Sequence, residues 1–181
     1  MTDSEKPTSS ALPTDLGFAL MLETACEDFE NLRDVIAGGI KIEASESEDR
    51  AVSFRRRRAS ARTQMALAKS FVSHVARARR ICEMGADSLG LDRLDRTRFL
   101  KATEKVVGIR DVNEHGFEPG ARSKPSVHSQ EGGNVDETSL VVHGPDQILM
   151  GPLTCAQFMM TLTACESLRA MRLPLEKSLH R

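Results

Sequence analysis

Arg110, Asp111 and His115 are the residues whose types could do chemistry together, and they lie in the stretch FLKATEKVVGIRDVNEHG, positions 99 to 116. An arginine can hold a phosphate through the two-pronged edge of its guanidinium. A histidine titrates near neutral pH, so it can take a proton from a ribose 2′-hydroxyl or give one to a leaving oxygen. In kind, these groups suffice for metal-free cleavage of RNA. In geometry a regular helix does not bring them together, because five residues turn about 140° around its axis. They converge only if the helix unwinds before Gly116 or if a second protomer supplies the other group. The ordinary reading of the same residues is a surface salt pair with cations complementing the negative end of a helix dipole. Spacing does not choose between these readings, since Arg122 and His128 stand at a similar separation.

These groups need a scaffold, and the hydrophobic pattern supplies helices. The first is expected from Pro13 and Thr14, with Phe18, Leu22, Ala25, Phe29, Leu32 and Ile36 on one face. Glu23, Glu27, Asp28, Glu30 and Asp34 make its other side acidic, and Gly38-Gly39 offers a stop. A second helix is expected from a capping box at Ser45 and Glu48 to Met84, before Gly85. Its seam is Ala61, Met65, Ala68, Val72 and Val75, widened by Leu67, Phe71, Ala78 and Ile81. A third opens at Asp92 or Asp95 and ends at His115, with Phe99, Ala102, Val106, Ile109 and Asn113 as its seam. Gly108 interrupts it at a cost of about 1 kcal/mol, which a close helix contact would justify.

Residues 117–137 hold Pro119, Gly120, Pro125, Gly132 and Gly133 and read as a flexible loop. A short β-hairpin follows, Ser139 to Val142 and Gln147 to Met150, as an ornament on the helical body. Thr154 and Gln157 form another capping box and open the last helix, with Phe158, Leu162, Cys165 and Leu168 inward and Pro174 as its end. The expected fold is all-α: an antiparallel four-helix up-down bundle with a β-hairpin inserted between the third and fourth helices. Residues 1–13 are expected to be a disordered tail, 14–173 the bundle with its 117–153 excursion, and 174–181 a second tail.

In the chain of 181 residues the formal net charge is −1, so affinity for nucleic acid must come from a local patch. Arg55, Arg56, Arg57, Arg58 and Arg62 on the second helix are the candidate RNA-binding patch, unless the acidic face of the first helix neutralises them. With no Trp and no Tyr, a base-stacking platform is disfavoured. Cys26, Cys82, Cys155 and Cys165 form no CxxC pair and read as buried free thiols of a reducing compartment. The opening MTDSEKPTSSALPTD has no basic start and apolar run, so no secretory signal is expected. No run reaches the roughly 20 apolar residues of a membrane span. A cytoplasmic protein is expected. His128 and His143, with Glu131 and Asp136, lack zinc-ligand spacing, so neither metal nor cofactor is expected. Met159-Met160 reads as core filling.

The stretch RDVNEH, an arginine, a polar residue and then a histidine after three more, late in a helix of a small bundle, resembles the motif of the HEPN superfamily (higher eukaryotes and prokaryotes nucleotide-binding). The resemblance covers the bundle layout from about residue 14 to 172, and its motif is Arg110, Asp111 and His115 only. It implies a metal-independent endoribonuclease of the toxin-antitoxin or defence type, working through a composite site in a homodimer. Arg110 would stabilise the phosphate, His115 would transfer protons and Asp111 would orient one of them. Some relatives are not catalytic, which implies the alternative of an interaction or nucleotide-binding protein paired with a partner such as a nucleotidyltransferase-type antitoxin. The hairpin before the last helix is not a required part of that family.

Overall fold

The computed structural model describes residues 14–43, 50–85, 89–115, 126–130 and 133–179. They form α1 (Thr14–Glu43), α2 (Arg50–Met84), α3 (Arg93–Ala102), α4 (Val106–His115), β1 (His128–Gln130), β2 (Gly133–Val135), β3 (Leu140–Gly144), β4 (Gln147–Met150) and α5 (Cys155–Leu179). The protein is mostly helical, with two antiparallel two-stranded ribbons, β1–β2 and β3–β4.

The helix faces read from the sequence make the core. Phe18, Leu22, Ala25, Phe29, Leu32 and Ile36 of α1 are all buried, as are Ala68, Phe71, Val72 and Val75 of α2. Phe158, Leu162, Cys165 and Leu168 bring α5 onto them. Three rings meet at the centre. Phe71 stacks on Phe158 with centroids 5.1 Å apart, and Phe29 leans on both. α1 packs along α2 and against α5, while α4 packs on α2 and α3 on α5.

The long third helix is two helices. The break falls at Thr103–Lys105, not at Gly108, and its cause is competition for carbonyls. Thr103 Oγ1 donates to Phe99 O at 2.8 Å, Thr161 Oγ1 donates to Ala102 O at 2.8 Å, and Arg79 Nη1 donates to Leu100 O. Thr103 N keeps its regular bond to Phe99 O, but with Leu100 O and Ala102 O engaged from outside, Glu104 N turns to Lys101 O and Val106 N to Thr103 O, and the regular ladder restarts at Val106. Gly108 is exposed inside α4, and a Cβ there would meet nothing within 4 Å, so no close contact accounts for it. Asp92 caps α3 as expected, accepting from Leu94 N at 2.7 Å and Asp95 N at 2.8 Å.

Other boundaries also differ. α1 continues through Gly38-Gly39, since glycine permits a left-handed cap without imposing one. A Cβ on Gly39 would stand 3.4 Å from Ser60 Oγ, close to α2 but near ordinary van der Waals contact. α5 runs through Pro174 to Leu179, because proline's fixed φ is itself helical and costs hydrogen bonding without forbidding further turns. The capping box at Ser45 and the N-terminal tail lie outside the described residues. The loop expected over 117–137 contains the ribbon β1–β2, with Ser129 opposite Asn134.

The hairpin β3–β4 is part of the core, not an ornament. Ile148 and Met150 are buried with Leu153 among the helix side chains. Its turn back is fixed by Gly151 at φ +54°, where a Cβ would stand 2.8 Å from Glu137 Cα. The expected box at the start of α5 forms in both directions, Thr154 N to Gln157 Oε1 at 3.2 Å and Gln157 N to Thr154 Oγ1 at 3.3 Å. No helix among the described residues is long and apolar enough to cross a membrane.

Candidate functional site

α4 places Arg110, Asp111, Glu114 and His115 within two turns, with Glu114 against Ser73 of α2 and within reach of the Arg77 charge. Burial of Val106, Ile109 and Val112 against the core fixes the rotation of α4 and turns the polar residues outward. Arg110 Nη1 lies 3.1 Å from Asp111 Oδ1, and Arg110 Nη2 lies 2.5 Å from Glu114 Oε2. His115 Nε2 stands 3.9 Å from that same Glu114 oxygen. Ser73 Oγ donates to Glu114 Oε1 at 3.0 Å.

The angular objection is thus met by side-chain length. Arginine reaches down one helical turn, so Arg110 and His115 approach one oxygen without unwinding of the described turn. The oxygen between them belongs to Glu114, which the sequence reading passed over. Its signal was the i, i+4 spacing from Arg110, a common helix-surface ion pair.

The electrostatics follow from that pairing. Burial alone would raise the Glu114 carboxyl. Hydrogen bonds from Arg110 and Ser73, with the charges of Arg110 and Arg77, outweigh burial and hold it below its ordinary range. The carboxylate is therefore ionised at neutral pH. Arg110 faces two carboxylates, and its Nε is buried with no hydrogen-bond partner among the described residues. Leaving such a donor unmade costs about 1–3 kcal/mol. A phosphate arriving at Arg110 must displace Glu114 or Asp111. Behind this cluster, Asn113 Nδ2 donates to Glu137 O at 3.3 Å and Glu137 Oε2 accepts from Ser126 N at 2.7 Å, tying α4 to the segment beyond it.

The candidate arginine patch lies elsewhere. Arg55, Arg56, Arg57, Arg58 and Arg62 are all exposed on the first turns of α2. Arg62 is eleven residues before Ser73, about 16 Å along a helix axis at 1.5 Å per residue. The acidic face of α1 does not neutralise Arg55, Arg58 or Arg62, which pair with no carboxylate among the described residues. Asp28 is taken by His74 Nδ1 at 2.9 Å, and Glu30 by Arg169 at 3.8 Å. Ala61, expected in the core seam, is exposed, because the seam opens at this end of α2.

A second trio, Ser70, His74 and Asp28, has the residue types of a nucleophilic triad. Its geometry is wrong for one. Asp28 Oδ2 and Ser70 Oγ both address His74 Nδ1, at 2.9 and 3.4 Å, whereas a relay needs them on opposite ring nitrogens.

His143 is exposed in β3, and Asp136 is occupied by Thr138 and Ser139 at 2.6 and 2.9 Å. Among the described residues no three His, Cys, Asp or Glu side chains gather as a metal site. Met159 packs against the core, but Met160 is exposed, so the pair does not fill the core together. Cys26, Cys82 and Cys165 are buried free thiols, and Cys155 is half-buried.

No family model, curated protein or solved structure matches this chain.

Proposed function

We propose that this protein is a HEPN-like endoribonuclease of the toxin-antitoxin or defence type, cutting RNA without a metal through Arg110 and His115. The observation that supports this reading is the shared approach of Arg110 Nη2 and His115 Nε2 to one carboxylate oxygen, at 2.5 and 3.9 Å. That oxygen, bound by Arg110 and approached by His115, marks where a phosphate oxygen could sit. In the proposed reaction the ribose 2′-hydroxyl attacks the adjacent phosphorus, the 5′-oxygen leaves with a proton, and a cyclic phosphate remains. Arg110 bears the charge on the phosphate and His115 moves protons. Glu114 yields its place when RNA arrives, and Asp111 holds Arg110 in position.

The architecture belonging to this reading is an up-down four-helix bundle whose third helix is broken at Thr103. Two copies would face one another across α4 to complete a composite site. Arg55, Arg58 and Arg62, at i, i+3 and i+7 on α2, would guide RNA phosphates at a distance from the cut.

A second reading has its own support. Arg110 is already matched by two carboxylates, which suits a non-catalytic HEPN-like protein that binds a nucleotide or a partner such as a nucleotidyltransferase-type antitoxin. Purified protein incubated with total RNA and a chelator separates the two. Cleavage that persists with chelator and is lost in both Arg110→Ala and His115→Ala supports the enzyme. Activity regained on mixing the two variants supports a shared site, whereas intact RNA under all conditions favours the binding protein.

A further inference from the structure

A cleft of about 370 Å³ opens between the C-terminal end of α1, the first turns of α2 and the hairpin β3–β4. Its polar lining includes Arg56, Arg57, Ser60, Gln64 and His143. We infer that this cleft binds a small phosphorylated ligand, through the guanidinium groups of Arg56 and Arg57 and the imidazole of His143. The site is separate from Arg110 and His115, and the inference does not rest on RNA cleavage.

Helix periodicity is the first argument. The core stripe of α2, Val75, Val72, Ala68 and Met65, continues backward at the same spacing through Ala61 to Arg57. Where the seam would bury another apolar residue, the chain places an arginine and the core opens. Arg56, Ser60 and Gln64 stand four residues apart on the neighbouring stripe. Gln64 Nε2 donates to Ser60 Oγ at 3.2 Å, so the hydroxyl proton remains available for a ligand oxygen.

The opposite wall is the second argument. The register of β3 on β4 slips between Val142 and Gly144, making His143 the extra, bulged residue. A bulge re-aims a side chain that regular pairing would direct otherwise. The hairpin tip is tied to α1 by Arg33 and Asp146 at 2.9 Å, which holds the wall over the helices.

The lining chooses the ligand class. Guanidinium forks match phosphate oxygens in shape and charge. The volume falls within the about 300–1,000 Å³ usual for small-molecule sites. Ile36, Ala61 and Val142 supply an apolar floor but no aromatic ring, which disfavours a stacked strand of bases.

The test is titration of the full chain with inorganic phosphate and with adenosine 5′-monophosphate, followed by calorimetry and backbone amide shifts. Saturable binding is expected, with shifts at Gly39, Ser60 and Gly144. Affinity should fall at least tenfold in the R56Q/R57Q double variant and fall also in His143→Ala, both melting as the wild type does, while His115→Ala binds unchanged. Tighter binding of the nucleotide than of inorganic phosphate identifies an organic monoester, and equal binding identifies phosphate itself. The proposal is overturned if neither probe saturates, if the shifts lie elsewhere, if the variants bind as well as wild type, or if only an oligoribonucleotide binds.

Discussion

Glu114 decides what Arg110 can do. Its carboxylate holds the guanidinium at 2.5 Å and is itself held by Ser73 at 3.0 Å. Replacing it with glutamine keeps the shape and removes the charge that competes with a phosphate. Glu114→Gln should therefore bind RNA several-fold more tightly in a filter or fluorescence assay, while losing up to about 1 kcal/mol of stability as a partly exposed ion pair. The pH dependence has a definite sign. Folding depresses the Glu114 pKa below its ordinary value of 4.5, so the pair's stabilisation is full above that value and fades as pH falls through the folded one. The stability gap between wild type and Glu114→Gln, measured by urea unfolding, should be constant near neutral pH and shrink in acid. At this scale the sequence shows Arg110, Asp111 and His115 plainly. It hides the position of Glu114, because i, i+4 ion pairs occur on most helix surfaces and nothing local marks one that sits between Arg110 and His115.

At the scale of elements, the legible parts are those set by local chemistry. The inward faces of α1 and α5, the cap at Asp92 and the box at Thr154 and Gln157 all follow from spacing and side-chain type. The break at Thr103 is illegible because its carbonyl acceptors are claimed from far away in the chain, Leu100 O by Arg79 on α2 and Ala102 O by Thr161 on α5. Arg79→Met should remove its own bonds to Leu100 O and Thr103 Oγ1 and its pair with Glu83 at 2.8 Å, leaving the Thr161 bond in place and costing about 2–3 kcal/mol in thermal or urea unfolding. Gly151 is a second such point. Its positive φ and the 2.8 Å approach of a Cβ to Glu137 Cα make Gly151→Ala destabilising by about 1–3 kcal/mol, read as a lower melting temperature. Ala at Gly108, exposed in regular helix, should stabilise by up to about 1 kcal/mol.

The whole molecule is closed by one core in which all three of Phe29, Phe71 and Phe158 touch, so Phe71→Ala should cost about 3–5 kcal/mol. Burial raises the Cys26 thiol to about 11, and it raises Cys82 and Cys165 as well. With iodoacetamide at neutral pH, the native protein should label at Cys155, and Cys26, Cys82 and Cys165 should react only in denaturant. That the core face of α2 ends in arginines instead of apolar residues is readable only when the hairpin is seen closing over them. The central claim is that Arg110 and His115 cut RNA. Its most direct measurement is end-group analysis of a defined RNA after incubation with the protein and chelator. The account predicts 2′,3′-cyclic phosphate ends from wild type, with the rate reduced at least about 10²-fold in His115→Ala, as loss of a proton-transfer group requires. Intact RNA, or cleavage unchanged in His115→Ala, would contradict it.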